Sequence, residues 1–201
     1  MKLPIEAHTG RPWLVHEIAP EFQVEDVWAL PTRGGPDDFP RLVEAFDTLP
    51  FPEQAPLPIR ALWAARWKLG ELFGWDDPSS AVGARVPSLR ERLPAGAEAP
   101  AEDGALSGTP FETVYVRPFE YAAEMANETV HAVLHLGWVE DGAGGHRGQL
   151  AVLVRPHGRR GAFYLAAIKP VRLALVYPAL LRLLGRRWRE LTDEAAARPA
   201  R

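Results

Sequence analysis

From Phe119 to His157 the apolar residues recur at every second position. In Thr129 to Trp138, Val130, Ala132, Leu134, Leu136 and Trp138 fall on one side and His131, Val133 and His135 on the other, which is a strand pattern. Phe119, Tyr121, Ala123 and Met125 alternate in the same way with Glu120, Ala122 and Glu124. A two-residue hairpin turn at Asn127-Glu128 sets Met125 against Val130 and Tyr121 against Leu134; on the reverse side it sets Glu124 against His131 and Glu120 against His135. A third run, Gln149 to Arg155, follows the glycine-rich stretch after Asp141 and extends the apolar side through Leu150, Val152 and Val154. The pattern predicts an antiparallel meander with one side awaiting a helix and the other bearing paired Glu and His.

Upstream, Trp13 to Ile18 is expected as a first strand, and Val24 to Leu30 as a second short apolar piece closed by Pro31. Phe39, Leu42, Val43 and Phe46 have helical spacing behind Asp37 or Asp38 as cap, with Pro40 tolerated in the first turn. A proline-rich connection leads to a second helix, Ile59 to Phe73, whose apolar face carries Ile59, Leu62, Trp63, Leu69 and Phe73 and, in its middle, Arg66. Ser88 to Glu91 has the spacing of a capping box, and 95–109 reads as a surface loop. Phe111 to Val116 alternates and leads into the meander. A long apolar element follows over about Gly161 to Leu191, with kinks expected near Pro170 and Pro178. One domain over residues 1–191 is expected, with 192–201 as a disordered tail.

Composition narrows the function classes. The chain has 201 residues, 47% hydrophobic and 24% charged, enough for one well-filled core. The absence of cysteine excludes disulfides, thiolate metal sites and thiol catalysis, and fits a cytoplasmic setting, as does the lack of a secretory signal pattern near Met1. Lys169, Arg172 and Arg182 interrupt the most apolar run, so no transmembrane span is expected, although contact with a membrane surface stays open. The net charge of -3 hides an asymmetry: Gly142 to Arg189 holds ten Lys or Arg and no Asp or Glu. These cations are spread over strand, loop and helix, which favours a basic element lying on an acidic body over a nucleic-acid footprint.

The order of elements resembles the helix-grip fold, and the resemblance becomes specific at His16-Glu-Ile-Ala-Pro20, Val27-Trp-Ala-Leu30, Trp67-Lys-Leu-Gly-Glu-Leu-Phe-Gly-Trp75, Thr129 to Trp138 and Ala167-Ile-Lys-Pro170. These stretches are similar to the bacterial family known as domain of unknown function 2867, associated with the START-like (SRPBCC) superfamily of lipid-transfer domains, pollen allergens and aromatase/cyclase enzymes. The resemblance implies an α+β domain in which a curved antiparallel sheet wraps a long C-terminal helix, with two helices inserted after the first strand. It also implies a cavity between sheet and helix. No strand pattern is found between the second helix and Phe111, which points to a smaller sheet than the full superfamily has.

No motif identifies a reaction, and no cofactor or metal is called for. His131 and His135 lie about 13 Å apart along a strand at roughly 3.3 Å per residue, too far to share one zinc. Two readings stay open for the Glu–His pairs: Glu124 polarising His131 as a general base of cyclase- or dehydratase-type chemistry, or cross-strand contacts on a solvated side. Arg66 either snorkels or holds an acidic group. The leading expectation is a binder of a small apolar or lipid-like molecule between the apolar meander side and the last helix, in a pocket lined by Arg66, Trp63, Tyr121, Leu134, Trp138, Phe163, Tyr164 and Ala167. A third expectation is contact through the basic C-terminal segment. Ligand identity and oligomeric state are not legible.

Overall fold

The computed structural model describes residues 1–50, 81–97 and 109–197, together with isolated positions between 53 and 68. A minimal strand β1 (Lys2–Leu3) precedes two short helices, α1 (Glu6–Thr9) and α2 (Leu14–Ile18). Then come a long strand β2 (Gln23–Gly34) and helix α3 (Phe39–Asp47). A 3-10 turn (Leu89–Arg92) leads to four consecutive strands: β3 (Glu112–Arg117), β4 (Glu120–Ala126), β5 (Val130–Glu140) and β6 (His146–Pro156). The chain ends in a continuous helical element made of α4 (Gly158–Val171), a π-helical turn (Arg172–Val176) and α5 (Tyr177–Ala197).

All strands join one antiparallel sheet in the order β1-β2-β6-β5-β4-β3. The molecule is therefore α+β, a six-stranded antiparallel sheet with a long C-terminal helix, compatible with the helix-grip expectation. The expected first strand is absent: Leu14, Val15 and Ile18 are buried from a helix. A six-residue stretch with four apolar residues suits a buried helical turn as well as a strand, and periodicity alone does not separate them. β2, in contrast, continues past Pro31, where the ladder is irregular between Ala29 and Arg33, as expected of a residue with no N–H to donate. Of the expected helix Ile59 to Phe73 only isolated positions are described, and Trp63 and Arg66 lie outside the described residues.

Both sides of the sheet are covered. On one side Trp28, Leu30, Tyr121, Ala123, Leu136, Trp138 and Leu150 pack against Phe39, Leu42 and Phe46 of α3 and against Tyr177, Leu184, Trp188 and Leu191 of α5. Each large apolar side chain buried here contributes about 1.5–3 kcal/mol. On the other side Val27, Ala122, Val133, Ala151 and Leu153 pack under Trp13, Leu14, Val15 and Ile18 and under Leu89 of the 3-10 turn. β5 and β6 are thus sandwiched, and the reverse side of the meander is an interior. The Trp13 indole lies against Gly137, where an added Cβ would come within 2.8 Å of the ring.

α4 crosses the rim of the sheet where Leu165 meets Val130, Ala132 and Val154. Gly161 makes this crossing possible, because a Cβ there would overlap the backbone carbonyl of Thr129, which has no freedom to withdraw. Gly161→Ala is expected to lower stability by about 1–3 kcal/mol in urea unfolding, although alanine is the better helix former by roughly 1 kcal/mol. The join to the sheet is ionic as well. The Asp26 carboxylate, fully buried on β2, accepts from Arg172 at 2.8 Å and from the Tyr177 hydroxyl at 3.2 Å, while Lys169 and Arg172 reach Glu25 at 3.2 and 3.7 Å. α5 then continues to Ala197, past Leu191 where the sequence pattern places its end.

Candidate functional site

The Glu–His pairs form, through a register two residues away from the expected one. Tyr121 faces Leu136, Ala126 faces His131 and Ala122 faces His135. The turn is longer than two residues because the Asn127 side chain accepts from the backbone N–H of Thr129 at 2.9 Å and of Val130 at 3.1 Å. A shift of two preserves which side each residue occupies, so the pairs meet diagonally: His131 Nε2 lies 2.7 Å from Glu124 Oε2, and His135 Nε2 lies 3.2 Å from Glu120 Oε2.

Each carboxylate also holds the start of a short helix. Glu120 accepts the backbone N–H of Leu14, the first residue of α2, at 3.0 Å; Glu124 accepts that of Leu89, the first residue of the 3-10 turn, at 2.9 Å, and the Ser88 hydroxyl at 2.6 Å. Helix starts expose N–H groups without intrahelical partners and carry partial positive charge, so a carboxylate satisfies both needs. Glu120 further accepts from the Tyr115 hydroxyl at 3.0 Å and from Arg117 at 2.9 Å. Burial opposes its ionisation, but the hydrogen bonds from His135, Tyr115 and Leu14 outweigh it and hold the carboxyl below the usual range. Burial, reinforced by the same carboxylate, pushes the Tyr115 phenol up.

The chain of contacts runs on to His8. With Glu120 accepting from His135 Nε2, the Nδ1 atom of His135 is the acceptor for His8 Nε2 at 3.1 Å. His8 Nδ1 then lies buried with no hydrogen-bond partner. Both rings are fully buried. Burial, reinforced by His135, His16 and Arg11, drives the His8 imidazole down to about 2, and burial lowers His135 against the pull of Glu120. These are neutral, enclosed histidines that fasten α1 and α2 to the sheet. His131 and Glu124 are likewise interior, on the side of the sheet away from α5. Arg155, opposite His131 in the β5–β6 ladder, pairs with Glu21 at 3.4 Å.

An open cleft of about 920 Å³ lies instead between β2, the start of β6 and α5. Its floor is apolar, formed by Leu30, Pro31, Leu181 and Trp188, and five arginines line it: Arg33, Arg147, Arg182, Arg186 and Arg189. Arg33 and Arg147 stand directly opposite each other in the β2–β6 ladder, a like-charge pairing that costs stability in isolation. Asp141 offsets this pairing in part: it lies 3.9 Å from Arg33 and its carboxylate also feels the Arg147 charge, while the Arg147 Nε is buried without a hydrogen-bond partner. Arg187, on the other side of α5, shows the contrast: it is engaged by Thr48, Glu190 and Glu194. Among the described residues, Arg182, Arg186 and Arg189 on the cleft side of α5 have no carboxylate within 4 Å.

Of the residues expected to line a pocket, Tyr121 and Trp138 are buried core, with the Trp138 indole N–H donating to the Gly35 carbonyl at 2.9 Å and its ring 5.8 Å from Trp188. Leu134 and Tyr164 are half-buried; Ala167 is exposed, and Phe163 is 77% exposed. None of these six lines the cleft. Four of the ten basic residues between Gly142 and Arg189, namely Arg147, Arg182, Arg186 and Arg189, meet Arg33 at the cleft, and the signal for this is the spacing of Arg182, Arg186 and Arg189 on successive turns of one helix side.

A family model described as a protein of unknown function (DUF2867) matches residues 18–179. The chain belongs to this family. No curated protein and no solved structure matches the chain. The family match spans both Glu–His pairs, Asp26 with Arg172 and Tyr177, and the Arg33–Arg147 side of the cleft. His8 and the three α5 arginines lie outside it.

Proposed function

We propose that this domain binds a small anionic amphiphile, a molecule with a carboxylate or phosphate head and an apolar body, in the cleft between β2 and α5. The observation that carries the reading is the set of five arginines, four with no carboxylate in ion-pair reach among the described residues, around a floor of Leu30, Pro31, Leu181 and Trp188. Guanidinium groups pair with carboxylate and phosphate oxygens in a fork geometry, and the cleft volume is in the range that small-molecule sites occupy. Placement beside the last helix agrees with the cavity that the START-like resemblance implies, and the basic rim adds a head-group preference to it.

The test uses the fluorescence of the cleft tryptophan, Trp188, and two probes of equal chain length, dodecyl phosphate and dodecanol. The phosphate is expected to bind at least tenfold more tightly, and the double change Arg186→Gln, Arg189→Gln to remove most of that advantage while leaving the alcohol unaffected. Equal affinity for the two probes in the unaltered protein would rule the reading out.

A further inference from the structure

The C-terminal helical element carries a second feature that the cleft does not use. Phe163, Ala167, Pro170, Val171, Ala174 and Leu175 are all exposed, with Phe163 at 77% and Leu175 at 41%. Of the most apolar eighteen-residue window in this element only 17% is buried. Scattered exposed apolar residues are ordinary, but a continuous strip along about 18 Å of helix, at roughly 1.5 Å per residue, is not.

The strip is free of charge because the two cations within it are turned the other way. Lys169 and Arg172 are engaged by Glu25 and Asp26 of β2. That tether holds the element along the sheet. Beyond the ends of the strip the charge is uniformly positive: Arg159 and Arg160 are exposed before it and Arg182 after it, and no acidic residue occurs from Gly142 to Arg189. An apolar helix side bracketed by arginines, held parallel to the protein surface, is complementary to an anionic lipid surface. A nucleic acid would use the charges but leave the apolar strip unpartnered in water, which argues against it.

We infer that the exposed side of this helix, from Phe163 to Leu175, docks on the surface of an anionic membrane, with Phe163 and Leu175 entering the acyl boundary and Arg159, Arg160 and Arg182 facing head groups. The inference is independent of the cleft reading, apart from Arg182, which borders both.

Vesicle sedimentation with the full chain tests it, using phosphatidylcholine vesicles with and without 30% phosphatidylserine (roughly this fraction serves, since each basic residue near such a surface adds about fivefold to binding). The protein is expected to sediment with the anionic vesicles only and to be released as salt rises toward about 0.5 M. Phe163→Glu should abolish sedimentation, and Arg159→Gln with Arg160→Gln should weaken it by about thirtyfold. Phe163 is exposed, so its change should leave thermal unfolding and dodecyl phosphate binding as they were; loss of either would mean the variant is disrupted, and Leu175→Glu then serves in its place. Sedimentation with neither vesicle, equal sedimentation with both, or sedimentation unaltered in Phe163→Glu and Leu175→Glu would overturn the inference. So would a concentration-dependent dimer that Phe163→Glu dissolves, because the strip would then be a contact between copies.

Discussion

Replacing Glu120 with alanine is expected to cost about 3–5 kcal/mol of folding stability, the largest single effect anticipated in this molecule. One side chain here serves four groups: the Leu14 N–H, the Tyr115 hydroxyl, the Arg117 guanidinium and the His135 ring. Alanine would leave Tyr115, His135 and the Leu14 N–H buried without an acceptor, each loss of a buried partner costing about 1–3 kcal/mol. Glu120→Gln, which keeps one acceptor oxygen and the shape, should cost less than half as much. A double-mutant cycle with His135→Ala separates the pair from the general damage. The two changes together should cost clearly less than their sum, since removing one leaves the other without its purpose. Urea unfolding followed by circular dichroism gives all of these numbers; strict additivity would show that the contact carries no energy.

The second large effect is acid sensitivity. His8 in the folded protein protonates only near pH 2, against about 6.5 when unfolded, so below 6.5 the unfolded chain binds a proton that the folded one refuses. Its contribution is complete above pH 6.5 and is lost as pH falls through the window from 6.5 toward 2. Between pH 7 and 5 this single ring should remove about 2 kcal/mol, at a limiting slope of about 1.4 kcal/mol per pH unit. His135, also lowered by burial, acts in the same direction. Glu120, whose folded carboxyl is held low, adds loss of stability only at more acid pH, as it is protonated below its unfolded value. Unfolding free energies measured from pH 7.5 to 4.5 should therefore fall steeply, and His8→Gln, which can still donate to His135, should flatten the slope by about one proton. A flat profile in the unaltered protein would show that His8 is hydrated or charged.

Strands, sides and the long final helix were legible because alternation and helical spacing are geometric and survive most tertiary contexts. Glu124 and His131 could be placed on one side of the sheet with no knowledge of the turn, since an error of two residues in register keeps every side chain on its own side. What covers that side was not legible. Its polar residues read as a solvated surface, whereas α1, α2 and the 3-10 turn bury it, and the carboxylates are polar because helix starts require them. Trp13 to Ile18 is helical where a strand is expected from sequence, because six residues are too few to tell the two apart. His8 carried no local signal at all, its partner being 127 residues away. The arginine cleft was half legible: the α5 spacing is visible in sequence, but Arg33 and Arg147 meet only through the pairing of β2 with β6.

That pairing also sets an order of assembly. β3 to β6 follow one another as neighbours in chain and in sheet, so they close through short turns, whereas β2 is bonded only to β1 and to β6, whose first residue lies more than a hundred positions downstream. On a ribosome the first fifty residues must wait, with Trp13, Phe22 and Trp28 uncovered, until His146–Pro156 has emerged from the exit tunnel. The amino-terminal segment is made early and folded late, which makes it the part of the nascent chain most in need of chaperone cover.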